Sequence, residues 1–441
     1  MKTFAPKPRF ETVRALIDKT RLIQIDGRVT QVVGLVVESN GPTARVNDLC
    51  FIEAAGGEQV PAEVVGFRGD RVLLMPLGEL SGVRAGCNVR SSGHCLRVGV
   101  GRQLLGRVLD GIGNPMDGLG PVEFSDHYPI YAQPPNALER KIISRRLATG
   151  VRSIDGLLTL GEGQRMGIFA GSGVGKSTLL GMIARYCSAD VNVIALVGER
   201  GREVREFIEN DLGPEGLNRS VIVCATSEMP ALVRIKAAFA ATAIAEFFRD
   251  QGQSVLLMMD SVTRFAMARR EVGLAIGEPP STKGYTPSVF ALLPKLMERA
   301  GNGSRGAITA LYTVLVEGDD TNEPIADASR SILDGHIVLS RRLTGRGHYP
   351  PIDILQSLSR TMPMVVSNEQ MEMARQAREL IAAYDDVEDL VSIGAYKPGT
   401  KPIADQAIAK WDSINRFLRQ DKAEGSTYED MLATLEVLTG G

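Results

Sequence analysis

Ala170-Gly171-Ser172-Gly173-Val174-Gly175-Lys176-Ser177 decides how the rest of the chain is read. An apolar run, 165–169, precedes it, and a helix-like stretch, 177–186, follows it. The pattern is that of a phosphate-binding loop, with Ala170 where a glycine is usual. The three glycines let the backbone curl so that successive N–H groups converge on phosphate oxygens. The N-terminus of the following helix adds its partial positive charge. Lys176 is then placed to reach the β- and γ-phosphates, Ser177 to ligate Mg²⁺, and Thr178 to bond a further phosphate oxygen. The competing reading is a Gly-rich turn with a chance Lys-Ser. A strand before the loop and a helix after it argue for phosphate.

Outward from the loop the text alternates short apolar runs with helical patterns. Runs at 165–169, 191–197, 220–225, 254–259 and 308–315, with a helical pattern at 231–249, predict a mostly parallel sheet covered on both faces. Such sheets bind ligands beyond the carboxyl ends of their strands, so residues that close those runs are the candidates. Val255-Leu256-Leu257-Met258-Met259-Asp260 delivers a carboxylate to that edge 84 residues after Lys176, where it would organise the metal. A cap on the next helix is the alternative. Val197-Gly198-Glu199-Arg200-Gly201 delivers another. Glu199 can orient and polarise a water, or it can be a surface residue of a charged loop.

The flanks read differently. From 1 to 21 six basic residues stand against two acidic ones, and Phe10, Val13 and Ile17 share one helical face. This basic amphipathic segment is either a docking helix or a solvated terminus. From 22 to 95 the β-like runs 29–38, 49–53, 60–67 and 71–75 predict a small barrel. The α/β pattern occupies 96–366. From 367 to 441 strands vanish, and amphipathic stretches at 369–384, 404–419 and 427–439 predict helices.

Composition narrows the function classes. With 44% hydrophobic and 23% charged residues the chain is neither a disordered chain nor a coiled-coil rod. Lys+Arg 50 against Asp+Glu 52 leaves no electrostatic reason to expect nucleic acid. The barrel segment carries only Phe51 and Phe67 as aromatics, too few for a stacking platform. Five scattered cysteines without a C-x-x-C pair point to reduced thiols rather than zinc. No apolar run approaches the length of a membrane span, and no secretory signal is visible.

Loop, Glu199 and Asp260, in this order, resemble the catalytic subunits of the rotary-ATPase superfamily. Within it the chain is similar to the flagellum-specific export ATPase and its relative, the type III secretion ATPase. The stretches that carry the likeness are Arg107-Val108-Leu109-Asp110-Gly111, Gly198-Glu199-Arg200-Gly201-Arg202-Glu203-Val204-Arg205, Ser281-Thr282-Lys283-Gly284-Tyr285, Glu317-Gly318-Asp319-Asp320 and Asp334-Gly335-His336-Ile337-Val338-Leu339. The resemblance implies a multidomain α/β protein: an N-terminal β-barrel, a central RecA-like P-loop domain and a C-terminal helical domain.

The family carries roles onto matching residues. Glu199 becomes the catalytic carboxylate. Pro350-Pro351-Ile352-Asp353-Ile354-Leu355-Gln356-Ser357-Leu358-Ser359 resembles the superfamily decapeptide, and Arg360 after it matches the arginine finger that acts on a neighbour's γ-phosphate. Without the family, Arg360 reads as an ordinary ion-pair residue. Tyr349 matches the aromatic that stacks on adenine; a core or interface aromatic is the alternative. Arg200 and Arg264 resemble site arginines.

The implied function is Mg²⁺-dependent ATP hydrolysis that powers flagellar protein export, in a homo-hexameric ring with sites at subunit interfaces. The alternative is an injectisome ATPase. An RNA translocase or a proton-coupled ATP synthase subunit fits less well. Implied partners are a regulator or stator-type protein at the N-terminal segment, a central stalk protein near the acidic loop 317–323, export substrates with their chaperones, and a peripheral membrane export apparatus. The implied place is the cytoplasm, against the inner face of the cell membrane.

Overall fold

The computed structural model describes residues 25–316 and 323–440. The segment 1–21 and the acidic residues Glu317, Asp319 and Asp320, for which partner contacts are expected, lie outside the described residues. Two compact units divide the chain, one ending at Cys95 and the other running from Leu96.

The first unit is a closed six-stranded barrel. Its strands are β1 (Gly27–Val33), β2 (Val36–Ser39), β3 (Asp48–Glu53), β4 (Gln59–Arg68), β5 (Arg71–Pro76) and β6 (Asn88–Cys95). Closure removes every exposed sheet edge. Val29, Val37, Cys50, Ile52, Val64, Leu74 and Val89 fill the interior. The sequence suggests four runs and the structure holds six strands. The run 29–38 is a hairpin, because Gly34 takes φ +57, a left-handed turn that glycine adopts without strain. β6 escapes a pattern search, since Val89 is its one buried apolar residue.

In the second unit a nine-stranded sheet forms the centre. Its main strands are β7 (Val108–Asp110), β8 (Arg165–Ala170), β9 (Val191–Val197), β10 (Ser220–Ala225), β11 (Ser254–Asp260), β12 (Ala307–Leu315), β13 (Gly335–Leu339) and β14 (Ile352–Ser359). They run in the order β14-β13-β8-β12-β11-β9-β10-β7. All are parallel except β14, which pairs antiparallel with β13. β9 and β10 are buried along their whole length, as expected of strands covered on both faces.

The five sheet strands expected from the sequence are present, three of them longer by one residue and two with the expected bounds. β7, β13 and β14 are additional. β14 alternates buried with exposed positions and carries Asp353, Gln356 and Ser357, so it lacks the continuous apolar run of a central strand. Helix α1 (Lys176–Tyr186) follows the glycine loop, α2 (Ala231–Asp250) covers the sheet, and α3 (Val262–Ala275) follows Asp260. The alanines of α2 are buried on nearly every side, which lets the helix approach the strands closely.

The C-terminal helices are α4 (Asn368–Asp385), α5 (Glu388–Ser392), α6 (Pro402–Leu418) and α7 (Tyr428–Gly440). They share one continuous apolar core with the sheet, running from Leu147 through Ile168, Leu380 and Phe417 to Leu438. Tyr384 of α4 stacks on Trp411 of α6 with ring centroids 3.6 Å apart. No helix among the described residues is long and apolar enough to cross a membrane.

Candidate active site

β8 ends at Ala170, and the loop 171–175 turns back over its carboxyl edge before α1 begins. Gly173 (φ +75) and Gly175 (φ +97) occupy left-handed conformations, which is why these positions are glycine. Val174 is buried and pins the loop to the core. Ser172 and Gly173 are exposed at the loop's crest. Ser177 and Thr178 lie half-buried in the first turn of α1. The Thr178 side chain is a hydrogen-bond partner of Asp211.

Three charged side chains converge at the carboxyl ends of neighbouring elements. Lys176 Nζ is paired with Asp260 Oδ1 and lies 3.6 Å from Glu199 Oε1. All three are nearly buried, with side-chain exposures of 11%, 6% and 13% for Lys176, Asp260 and Glu199. Burial works against the Lys176 ammonium, but Asp260 and then Glu199 outweigh it and raise its pKa. Glu199 is pushed up to about 7, first by burial and then by Asp260 and Glu203, with Lys176 and Arg264 opposing.

Asp260 has a second partner that the sequence reading missed. Thr313 Oγ1, on the adjacent strand β12, donates to Asp260 Oδ1 at 2.7 Å. The signal was present in the sequence: a hydroxyl inside the apolar run 307–315 is fully buried in a central strand, and a buried hydroxyl needs a partner.

Arg264 packs its side chain against Gly198; a Cβ built on that glycine would lie 2.9 Å from Arg264 Cβ. The guanidinium therefore stands beside Glu199. Glu199 Oε1 and Arg264 Nε are both buried without a hydrogen-bond partner. An acceptor held only by the long 3.6 Å contact with Lys176, and a donor with no hydrogen bond, suit a ligand that carries both anionic oxygens and water. With Ser177 and Asp260 as hard oxygen donors, the set fits a magnesium–phosphate group.

Not every candidate joins this cluster. Arg200 is 72% exposed and pairs with Glu203 at 3.4 Å. Tyr349 is 47% exposed but does lie by the loop: a Cβ on Gly175 would be 3.8 Å from its ring. Its carbonyl accepts from Gln420 N at 2.9 Å, so the segment after α6 positions it.

Arg360 lies elsewhere. β14 runs antiparallel, and its last residue, Ser359, pairs with Gly335 at the start of β13. Arg360 N donates to Asp334 O, and Asp334 in turn bonds Arg165 at the start of β8. Arg360 therefore sits at the amino edge of the parallel sheet, while the glycine loop sits at its carboxyl edge. β8 separates the two ends by roughly 20 Å at ~3.3 Å per residue.

Residues 150–359 match the nucleotide-binding domain of the ATP synthase alpha/beta family, residues 29–93 its beta-barrel domain, and residues 366–437 the T3SS EscN ATPase C-terminal domain. The flagellum-specific ATP synthase of Bacillus subtilis is 54% identical over 422 residues, covering 94% of this chain and 95% of that protein. The flagellum-specific ATP synthase of Salmonella typhimurium is 51% identical, covering 97% and 96%. The type 3 secretion system ATPase of Xanthomonas euvesicatoria is 53% identical, covering 94% and 93%. Among solved structures, the assembled ATPase EscN of the enteropathogenic E. coli type III secretion system superposes with a TM-score of 0.88 at 49% identity, over 94% of this chain and all of that one. EscN in complex with its central stalk EscO superposes with a TM-score of 0.87 at 48% identity, over the same shares.

Proposed function

The chain belongs to the ATP synthase alpha/beta family, among its flagellum-specific and type III secretion ATPases, and on that premise we propose how its residues divide the work. It is an ATPase of protein export, with the flagellar system as the main reading and an injectisome as the alternative. The observation that carries the mechanism is the separation of Arg360 from the chain's own glycine loop. A group at the amino edge of the sheet has no route to a phosphate at the carboxyl edge of the same chain. It serves a neighbour, so the site is completed between copies in a homo-hexameric ring.

In this reading the loop 170–175 cradles the phosphates through its backbone, and Lys176 exchanges its carboxylate partners for the β- and γ-phosphates. Ser177 and Asp260 would hold Mg²⁺, which supplies charge neutralisation to the phosphates. Thr178 adds a phosphate contact, and Tyr349 stacks on adenine. Glu199 orients the attacking water. Its Oε1 takes the proton as the new O–P bond forms and the bond to the β-phosphate oxygen breaks, then returns it to the released phosphate. Arg264 and the neighbour's Arg360 neutralise charge on the transferred group. Arg200, outward in the single chain, is a site arginine only if the ring turns it inward.

The ring would work in the cytoplasm as a peripheral part of the export machinery. It would engage a stalk protein at its centre, a regulator at segment 1–21, and export substrates with their chaperones.

Mixed rings test the shared site. Glu199→Gln and Arg360→Ala chains are each expected to be nearly inactive alone. Co-expressed, they form interfaces where an intact Glu199 meets an intact Arg360, and ATPase activity returns. No recovery in rings shown to contain both chains would overturn the trans arrangement.

A further inference from the structure

A fully buried side chain lies directly behind Arg360. Gln164, immediately before β8, has no exposed surface and gives two of its four amide hydrogen bonds to the segment that carries the arginine. Its Nε2 donates to Ser359 Oγ at 3.1 Å and to Asp334 O at 3.1 Å. Its Oε1 accepts from Thr361 Oγ1 at 2.6 Å and from Gly161 N at 2.9 Å. Two donors and two acceptor positions are all used, which is the full capacity of an amide.

The geometry brackets one residue. Ser359 and Thr361 are the two neighbours of Arg360 in sequence, and both are tied to the same amide. Asp334 O is shared: it accepts from Gln164 Nε2 and from Arg360 N, the latter at 3.0 Å. Arg360 Nη1 donates to Leu333 O at 3.4 Å. Ser359 Oγ also donates to Thr159 O at 2.9 Å, which fixes the same segment to the residue before the short strand Leu160–Gly161. The backbone around Arg360 is therefore held from both sides by buried polar contacts, while its side chain remains exposed.

We propose that Gln164 is the positioning residue for Arg360, setting the direction from which the guanidinium reaches the neighbour's nucleotide. This rests on the reading of Arg360 as a trans-acting group. Such a group needs aim, because a displacement of about 1 Å costs on the order of 10² in rate. The guanidinium has one long contact of its own, to Leu333 O at 3.4 Å, so its aim rests chiefly on its backbone, and Gln164 supplies the only side chain among the described residues that bonds both flanking residues. β8 then carries two functions: the residue before its start sets the group sent to one site, and the loop after its end builds another.

The test compares Gln164→Met, close in shape but without the amide, with Arg360→Ala and the double variant, at protein concentrations that saturate specific activity. Gln164→Met is expected to lower kcat between tenfold and a hundredfold, with KM for ATP and fluorescent-nucleotide affinity within about twofold of wild type. The double variant is expected to turn over like Arg360→Ala alone, because a misaimed group that is already absent costs nothing more. Wild-type turnover of Gln164→Met, a loss that multiplies onto that of Arg360→Ala, or a parallel loss of nucleotide binding would each overturn the proposal. Thr361→Val keeps shape and removes one hydroxyl. It decides the matter if Gln164→Met does not fold: a smaller fall in kcat with unchanged KM supports the proposal, and unchanged kcat overturns it. Wild-type turnover of Arg360→Ala itself would instead reject the trans reading, a result separable from any behaviour of Gln164.

Discussion

Asp260 and Lys176 hold each other in the chain alone, so in the proposed reading nucleotide binding is an exchange of partners rather than the filling of an unpaired charge. Both residues were legible from the spacing of loop and strand-end carboxylate. Thr313 was legible only as a buried hydroxyl in need of a partner; which partner was not, because a threonine in an apolar run has no direction until the strand order puts β12 beside β11. His348, next to Tyr349, shows the same dependence on neighbours. It is buried, its Nδ1 faces Arg419 Nε at 3.5 Å, and burial, then Arg419, depress its pKa to about 4. The folded chain favours the neutral ring, whereas the unfolded chain protonates near 6.5. The contribution to stability is complete above the unfolded value and is lost as pH falls from there towards 4. The span is worth roughly 3 kcal/mol at ~1.4 kcal/mol per pH unit. Denaturant unfolding at pH 7 and pH 4.5 should therefore show a smaller acid loss, by roughly 2–3 kcal/mol, in His348→Gln than in wild type. Equal losses would mean that the ring is not kept neutral by the fold.

At the scale of elements, α1 is placed by a single close approach. A Cβ on Gly181 would lie 2.6 Å from the carbonyl of Asp211 and 2.7 Å from its Cβ, on the helical turn Phe207–Leu212. Gly181 thus lets α1 sit against that turn, with the Thr178–Asp211 contact one turn earlier. Intrinsic propensity favours alanine over glycine in a helix by about 1 kcal/mol. Here overpacking, typically 1–3 kcal/mol, should win. Gly181→Ala is expected to lower Tm by several degrees at roughly 2–4 °C per kcal/mol and to weaken nucleotide affinity, since α1 carries Lys176. Wild-type Tm and affinity would show that α1 has room to spare. Elements with a continuous apolar run were legible in the sequence to within a residue or two. β6 and β14 were not: both carry polar residues where a central strand would be apolar, and β6 pairs with strands far back in the chain.

The molecule as a whole carries an incomplete site at each of two edges. Loop, Glu199 and Asp260 gather at one edge of the sheet, and Arg360 stands at the other, so hydrolysis in this reading depends on association. Specific ATPase activity is expected to rise with protein concentration and to level off once rings are complete, tracked by light scattering on the same samples. Full specific activity in samples shown to be monomeric would mean that one chain holds a complete site. The C-terminal helices bear on the same point. They share the core of the sheet, and the backbone N–H of Gln420 bonds the carbonyl of Tyr349 beside the loop, so those helices are joined to the loop's surroundings.

Local chemistry set much of this protein in advance. Glycine spacing, apolar runs and the carboxylates that end them determine a phosphate loop on a parallel sheet, because backbone curvature and strand burial are short-range demands that adjacent residues satisfy. Only the tertiary structure decided which strand lies beside which. Strand order brings Thr313 to Asp260, leaves Arg200 outside, places Arg360 at the far edge, and sets Gln164 behind it. Those relations depend on long-range packing, for which neighbouring letters of the sequence carry no physical record.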